Sequence, residues 1–217
     1  MSGTRARVEP AHLGLAAAAG VVFVWSAVRP HDYVTWFLEV APAIIGFAVL
    51  AWTYHRFRLT TLAYALCAVH AAILMVGGHY TYAEVPLFGW VRDVFGLARN
   101  DYDRVGHFAQ GFVPAILARE VLLRRTPLAR DKWLVTLVLA VALAISALYE
   151  LFEWGVASAT GSASDAFLGT QGDVWDTQKD MATCLVGAIT SLALLSRVHD
   201  RALAAGKFSR LPPPVRA

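Results

Sequence analysis

Residues 172–196 read GDVWDTQKDMATCLVGAITSLALLS, and three carboxylates stand at the start of a long apolar segment. The three acids are Asp173, Asp176 and Asp180, and residues 181–196 carry no charged side chain. A segment of this composition enters a lipid bilayer as a helix, where an ionised carboxylate is unfavourable by about 3 kcal/mol. The stretch therefore predicts a membrane helix whose acids are compensated by a proton, a cation or a hydrogen-bond donor.

The rest of the chain has the same apolar character. Of its 217 residues, 57% are hydrophobic and 16% are charged, and the mean hydropathy is +0.51, unlike that of an ordinary soluble domain. Its apolar residues form six blocks, each close to the roughly 20 residues that a helix needs to cross a bilayer: 11–28, 33–52, 60–78, 105–123, 133–158 and 177–196. We predict an all-α polytopic membrane protein with about six transmembrane helices. One domain (11–198) would follow a short N-terminal segment (1–10) and precede a disordered tail (199–217).

The basic residues predict the orientation of this domain. Of the nineteen lysines and arginines, fourteen lie in or next to the N-terminus, 53–59, 124–132 and the C-terminal tail. The positive-inside rule places these segments, and hence both termini, in the cytoplasm. The net charge of +3 thus reflects topology and anionic lipid headgroups, and we expect no nucleic-acid partner.

Polar side chains gather at the predicted outer ends of the helices. Asp103 and His107 are four residues apart and share a helix face, and Glu150 and Glu153 are three apart on the next helix. Asp173, Asp176 and Asp180 occupy a third arc, which continues to Cys184 and Gly187, small residues suited to close helix packing. On helical geometry, Arg104 and Lys179 are expected to point away from these arcs.

Several carboxylates that face one small volume repel one another unless a proton or a cation neutralises them. Asp173, Asp176, Asp180 and Glu153 are therefore candidate ligands of a divalent metal, Mg, Mn or Zn. We assign His107, Asp103 and Glu150 as candidate catalytic residues, with His107 as general acid or base. The remaining candidate site residues are His79, Tyr80, Asn100, Tyr149 and Gln171.

Simpler roles compete with each assignment. Asp173 and Asp176 can cap the last helix, because acids are favourable in a first helical turn. His107 can be a core histidine bonded to Asp103, and His79 and Tyr80 can belong to an interfacial aromatic belt.

Four motifs carry a resemblance to a known family: GGHYTYAEVPLF, NDYDRVGHFAQGFVPAILARE, ALYELFEW and DAFLGTQGDVWDTQKDM. Together they resemble the YjdF-like (DUF2238) family of uncharacterised bacterial inner-membrane proteins. The resemblance implies a six-helix membrane protein and supplies no activity. The run from Asp103 to Phe108, with Asp176 to Met181, is more loosely similar to VanZ-like proteins, which are also small and polytopic.

Three functions remain open on the sequence. The first is metal-assisted chemistry on a lipid or lipid-linked phosphate, with the acids holding the cation. The second is a small ion- or proton-coupled transporter that uses the same acids as a path. The third is a non-catalytic membrane partner of a cell-envelope complex.

Overall fold

A computed structural model describes residues 8–160 and 170–206, and these residues form seven α-helices with no strand. The helices are α1 (Pro10–Ala27), α2 (Tyr33–Thr53), α3 (Thr61–Tyr80), α4 (Pro86–Phe95), α5 (Tyr102–Arg125), α6 (Lys132–Thr160) and α7 (Asp176–Ala205). A single 3₁₀ turn, Tyr82–Glu84, lies between α3 and α4. The all-α prediction is confirmed. Residues 1–7 and 207–217, which belong to the predicted terminal segments, lie outside the described residues.

Each of the six predicted apolar blocks is a helix. Five helices are long and apolar enough to cross a membrane, namely α1, α2, α3, α6 and α7. The helix of the fourth block, α5, has 24 residues and is more polar, because it carries charged side chains at both ends. The structure is that of a polytopic membrane protein, and a sixth span through α5 stays a prediction.

The chain divides into two units, residues 1–103 and 104–217. In the first unit, α1 and α2 both pack against α3. His12 of α1 bonds to the Tyr54 hydroxyl at 2.8 Å and to the Thr61 hydroxyl at 3.0 Å. Near the other end of α1, the Trp36 indole N–H donates to Ser26 Oγ at 3.1 Å. Buried polar contacts therefore fix α1 to its neighbours near both of its ends.

Helix α4 lies between the third and fourth predicted apolar blocks, 60–78 and 105–123, in a segment for which the sequence analysis predicts no helix. Pro86 occupies its first turn, where a missing backbone N–H costs nothing. Gly96 ends it in the left-handed conformation with φ +62°, which glycine adopts without steric cost. The segment is a short helix because both of its ends carry a favourable residue.

In the second unit, α6 packs against α7, and each helix buries one continuous face. On α6 every fourth residue is buried, from Leu134 to Glu150. On α7 the buried face includes Asp176, Asp180 and Cys184. The predicted arc of the last helix therefore faces the protein interior.

Helices α5 and α7 approach each other at two glycines. A Cβ on Gly111 would overlap the carbonyl group of Cys184, and a Cβ on Gly187 would overlap the carbonyl group of Phe108. Such backbone-to-backbone contact is possible only with small residues at the crossing. The expected close packing at Cys184 and Gly187 is confirmed.

Helix α7 is longer than the predicted apolar block. It continues to Ala205, so His199 and Asp200, which the predicted boundary assigns to the tail, lie within the helix.

Candidate functional site

Arg104, near the start of α5, binds the acids of α7. Its Nη2 lies 2.7 Å from Asp176 Oδ1 and 3.4 Å from Asp173 Oδ2, and its Nη1 forms an ion pair with Asp180 Oδ1. Asp176 and Asp180 retain only 6% and 2% of their accessible surface. The guanidinium thus places one positive charge against three carboxylates, two of which are almost removed from solvent.

This geometry corrects the prediction that Arg104 and Lys179 point away from the acidic arcs. Lys179 Nζ lies 2.7 Å from Asp173 Oδ2. Hydrogen bonding from Lys179 is the main reason why the pKa of Asp173 is lowered from its ordinary value, and a bond from the Trp175 N–H adds to this effect. Helical spacing fixes where a Cα lies, but long basic side chains carry their charge to a different place.

His107 lies one turn after Arg104 and faces two carboxylates. Its Nε2 is 3.7 Å from Glu150 Oε1 on α6 and 3.7 Å from Asp180 Oδ1 on α7. Its Nδ1 is 3.2 Å from Gln110 Oε1, an acceptor, which matches a neutral ring with its hydrogen on Nδ1. In that tautomer the lone pair of Nε2 points towards the two carboxyl groups. We call His107, Glu150 and Asp180 the His107 site.

A further acid precedes His107 on α5. Asp103 lies in the first turn, and its Oδ2 is 3.5 Å from Arg99 Nη2. Asp103 therefore lies one turn before His107 on the same helix, as their spacing predicts.

Comparison with known proteins supplies the family. The family described as "Predicted membrane protein (DUF2238)" matches residues 11–201. The chain belongs to this family. It is also 50% identical over 183 residues to the inner membrane protein YjdF of Escherichia coli (strain K12). The matched residues are 84% of this chain and 88% of that protein. No solved structure matches.

This DUF2238 chain is therefore an integral protein of the inner membrane, as its apolar helices require. The looser likeness to VanZ-like proteins stays a resemblance.

Two more of the predicted site residues lie near the His107 site in this DUF2238 protein. The Tyr149 ring is edge-on to the His107 ring, with centroids 6.3 Å apart. Glu153 is half-buried one turn after Glu150 on α6. Gln171 is exposed and has a φ of +49°, in the turn that leads to α7.

The other predicted residues belong to the first unit. His79 Nδ1 lies 3.1 Å from the Ser26 carbonyl oxygen, and its ring contacts those of Trp25 and Tyr80. The Asn100 amide donates to the Val85 carbonyl oxygen at 3.0 Å. His79 and Tyr80 thus belong to a cluster of aromatic rings at one end of α1 and α3, and Asn100 fixes the segment before α5 to the start of α4. The sequence alone could not distinguish these structural roles from catalytic ones.

A second buried polar network in the second unit was not predicted as a group. His199 Nε2 donates to Glu120 Oε2 at 3.1 Å, and Arg124 Nη1 donates to Glu120 Oε1 at 2.6 Å. Arg119 donates to His199 Nδ1 at 2.9 Å and to Asp200 at 2.8 Å. Glu120 and His199 are fully buried. We call these five residues the Glu120 network. Residues about 80 positions apart give no local sequence signal for such a contact.

Proposed function

We propose that the second unit holds one divalent cation at the His107 site and uses it for chemistry on a phosphate-bearing lipid. The observation that carries the proposal is the orientation of the His107 ring. An Nε2 lone pair that faces two carboxylate oxygens at 3.7 Å is repulsive unless a proton or a metal cation lies between them.

The distances suit a metal ion. Metal–nitrogen and metal–oxygen bonds to zinc are about 2.1 Å long. An ion at that distance from two atoms 3.7 Å apart makes an angle of about 120° with them, which is close to tetrahedral geometry. Gln110 supplies the outer hydrogen bond on Nδ1 that orients a metal-binding histidine in many sites.

Charge balance also favours a divalent cation. The group holds four carboxylates, those of Glu150, Asp173, Asp176 and Asp180, and two basic side chains, Arg104 and Lys179. With all six ionised, the formal charge of the group is −2. One divalent cation offsets this charge, whereas one proton does so only in part.

The donor set favours Mn or Zn over Mg. Magnesium prefers an all-oxygen octahedral shell, and an imidazole nitrogen suits manganese and zinc. Among the predicted metal ligands we retain Asp180 and add His107 and Glu150. Asp180 contacts both His107 and the Arg104 guanidinium, whereas the contacts of Asp173 and Asp176 are with basic side chains, so we assign those two to holding Arg104.

The depth of the site supports a lipid substrate. Asp180 is in the second turn of α7, and Arg104 and His107 are in the first two turns of α5, so these groups lie at helix ends. Helix ends of a membrane protein meet the headgroup region, where lipid phosphates lie. A bound cation would polarise a phosphoryl oxygen, and a carboxylate that is not bound to it would accept or deliver a proton.

Phosphate release from phosphatidic acid tests this function. Wild type, His107→Ala and the control Lys179→Gln are purified, stripped with chelator and assayed in lipid with and without Mn²⁺, Zn²⁺ or Mg²⁺. We expect metal-dependent release by wild type and control and none by His107→Ala. Release that is equal in chelator, or equal in all three proteins, would contradict the proposal.

Proton or ion transport is the second candidate function, and the Glu120 network favours it. The network and the His107 site are carried by the same helices. Between them lies an apolar core that includes Ala115, Val138 and Ala188, and this core interrupts a polar track. A site that opens to one side of the membrane therefore fits these residues better than a transport path across it.

Proton flux into liposomes loaded with a pH-sensitive dye separates the two functions. Transport requires flux that Glu120→Gln abolishes, whereas the metal-centred function requires no flux above that of empty liposomes.

A further inference from the structure

Helix α4 has three distinct faces. Phe88 and Val91 lie on a face turned towards the protein and are half-buried. Leu87, Trp90 and Val94 form an exposed apolar stripe, with 61% of the Trp90 surface accessible. Gly89 and Asp93 lie on the remaining side at helical spacing. A helix that contacts protein, lipid and water at once has this pattern.

The exposed stripe is held in place by the other faces and ends of the helix. The Phe88 ring packs edge-on against Tyr102, with centroids 5.3 Å apart. Asn100 donates to the Val85 carbonyl oxygen at the start of α4 and accepts from the Tyr102 N–H at 3.1 Å. At the other end, the Leu97 N–H bonds to the Arg92 carbonyl oxygen. The apolar stripe is thus presented by a fixed helix.

Helix α4 follows closely on the end of a membrane-crossing helix. Helix α3 ends at Tyr80, six residues before Pro86. The rings of Trp25, His79 and Tyr80 cluster at that end of α1 and α3, as in the aromatic belts at bilayer surfaces. With ten residues, α4 is about 15 Å long, too short to cross a hydrocarbon core of about 30 Å.

We propose that α4 is an interfacial helix that lies in the plane of the membrane surface and binds phospholipid through Leu87, Trp90 and Val94. By the orientation predicted above, this surface is the extracytoplasmic one. The inference does not depend on the proposed metal site.

The occupant of the stripe is lipid because membrane-crossing helices of the same unit also expose apolar side chains at the ends next to which α4 follows. Val24, Val34 and Phe37 are exposed near the same ends of the membrane-crossing helices α1 and α2, where such side chains meet lipid. The polar side of α4 carries Arg92 and Asp93, paired at 2.8 Å, and so has no net charge. Insertion of apolar side chains, rather than attraction to anionic headgroups, therefore drives the contact.

Spin labels on α4 test the proposal directly. Leu87→Cys, Trp90→Cys and Val94→Cys are each labelled in a protein that has Cys67→Ala and Cys184→Ala, and are reconstituted in vesicles of phosphatidylcholine. Asp93→Cys on the polar side of the same helix is the matched control. Collision rates with oxygen, which concentrates in lipid, and with a nickel chelate, which stays in water, are then compared.

We expect the oxygen-to-nickel ratio at positions 87, 90 and 94 to exceed that at position 93 several-fold. The use of three stripe positions keeps the test decisive if one variant fails to fold. Equal, water-like ratios at the stripe and at position 93 would overturn the proposal. Stripe labels that neither reagent reaches would also overturn it, and would show instead that a protein surface covers α4.

Discussion

Replacing Arg104 by glutamine removes the guanidinium that contacts Asp173, Asp176 and Asp180. Asp176 and Asp180 are more than nine-tenths buried, so water cannot replace the lost ion pairs. Breaking a buried ion pair by removing one partner typically costs about 3–5 kcal/mol. That is a large share of the roughly 5–15 kcal/mol by which a protein is stable.

The matched control is Lys179→Gln. Its partner Asp173 is the same kind of acid, but the Lys179 side chain is more than half exposed. A pair of this kind is screened by solvent and contributes well under about 1 kcal/mol. Both variants lose one positive charge beside the same acids, and they differ mainly in burial.

Thermal unfolding in detergent, followed by tryptophan fluorescence in the presence of chelator, measures the difference. At roughly 2–4 °C per kcal/mol, Arg104→Gln should lower the midpoint by roughly 6–20 °C, and Lys179→Gln by less than about 4 °C. Adding Asp180→Asn to Arg104→Gln should restore part of the loss, because one uncompensated charge is removed. Equal midpoints for Arg104→Gln and Lys179→Gln would refute the role given to Arg104.

Three further changes probe the fold and the topology. Gly187→Ala should destabilise the second unit by about 1–3 kcal/mol, because the added Cβ meets the backbone of α5. Gly155→Ala, which has open space around the added Cβ, should not destabilise it. Equal melting temperatures for the two variants would contradict the close crossing of α5 and α7. Glu120→Gln should cost about 3 kcal/mol in the same melting assay, because two basic groups lose a buried carboxylate, and an unchanged midpoint would argue against that network. Reporter fusions at Arg130 should be cytoplasmic and those at Gly96 extracytoplasmic, and the reverse result would invert the predicted orientation.

Much of the architecture could be read from the sequence, because a membrane-crossing helix has a strong and continuous apolar signal. The buried face of α7 was predicted correctly from the spacing of Asp176, Asp180 and Cys184, since helical periodicity alone determines which residues share a face. Periodicity also indicated the contact at Gly187.

The sequence-based predictions were wrong or incomplete where the length of a side chain or a contact between distant segments determines the structure. Arg104 was expected to point away from the acids, but the close crossing of α5 and α7 brings its long side chain onto them. Helix α4 was missed because ten residues of mixed polarity resemble a loop, although Pro86 and Gly96 mark its ends. The pairing of Glu120 with His199 joins two distant segments and leaves no local pattern.

The central claim is that a divalent cation lies between His107, Glu150 and Asp180. Mass spectrometry of metals in the purified protein tests it most directly, with His107→Ala and Glu150→Gln compared with the control Lys179→Gln. The account predicts close to one Mn or Zn per chain in wild type and control, and a loss of most of that metal in the two site variants. Wild-type protein that stays metal-free after incubation with Mn²⁺ or Zn²⁺, or site variants that keep the full metal content, would contradict it.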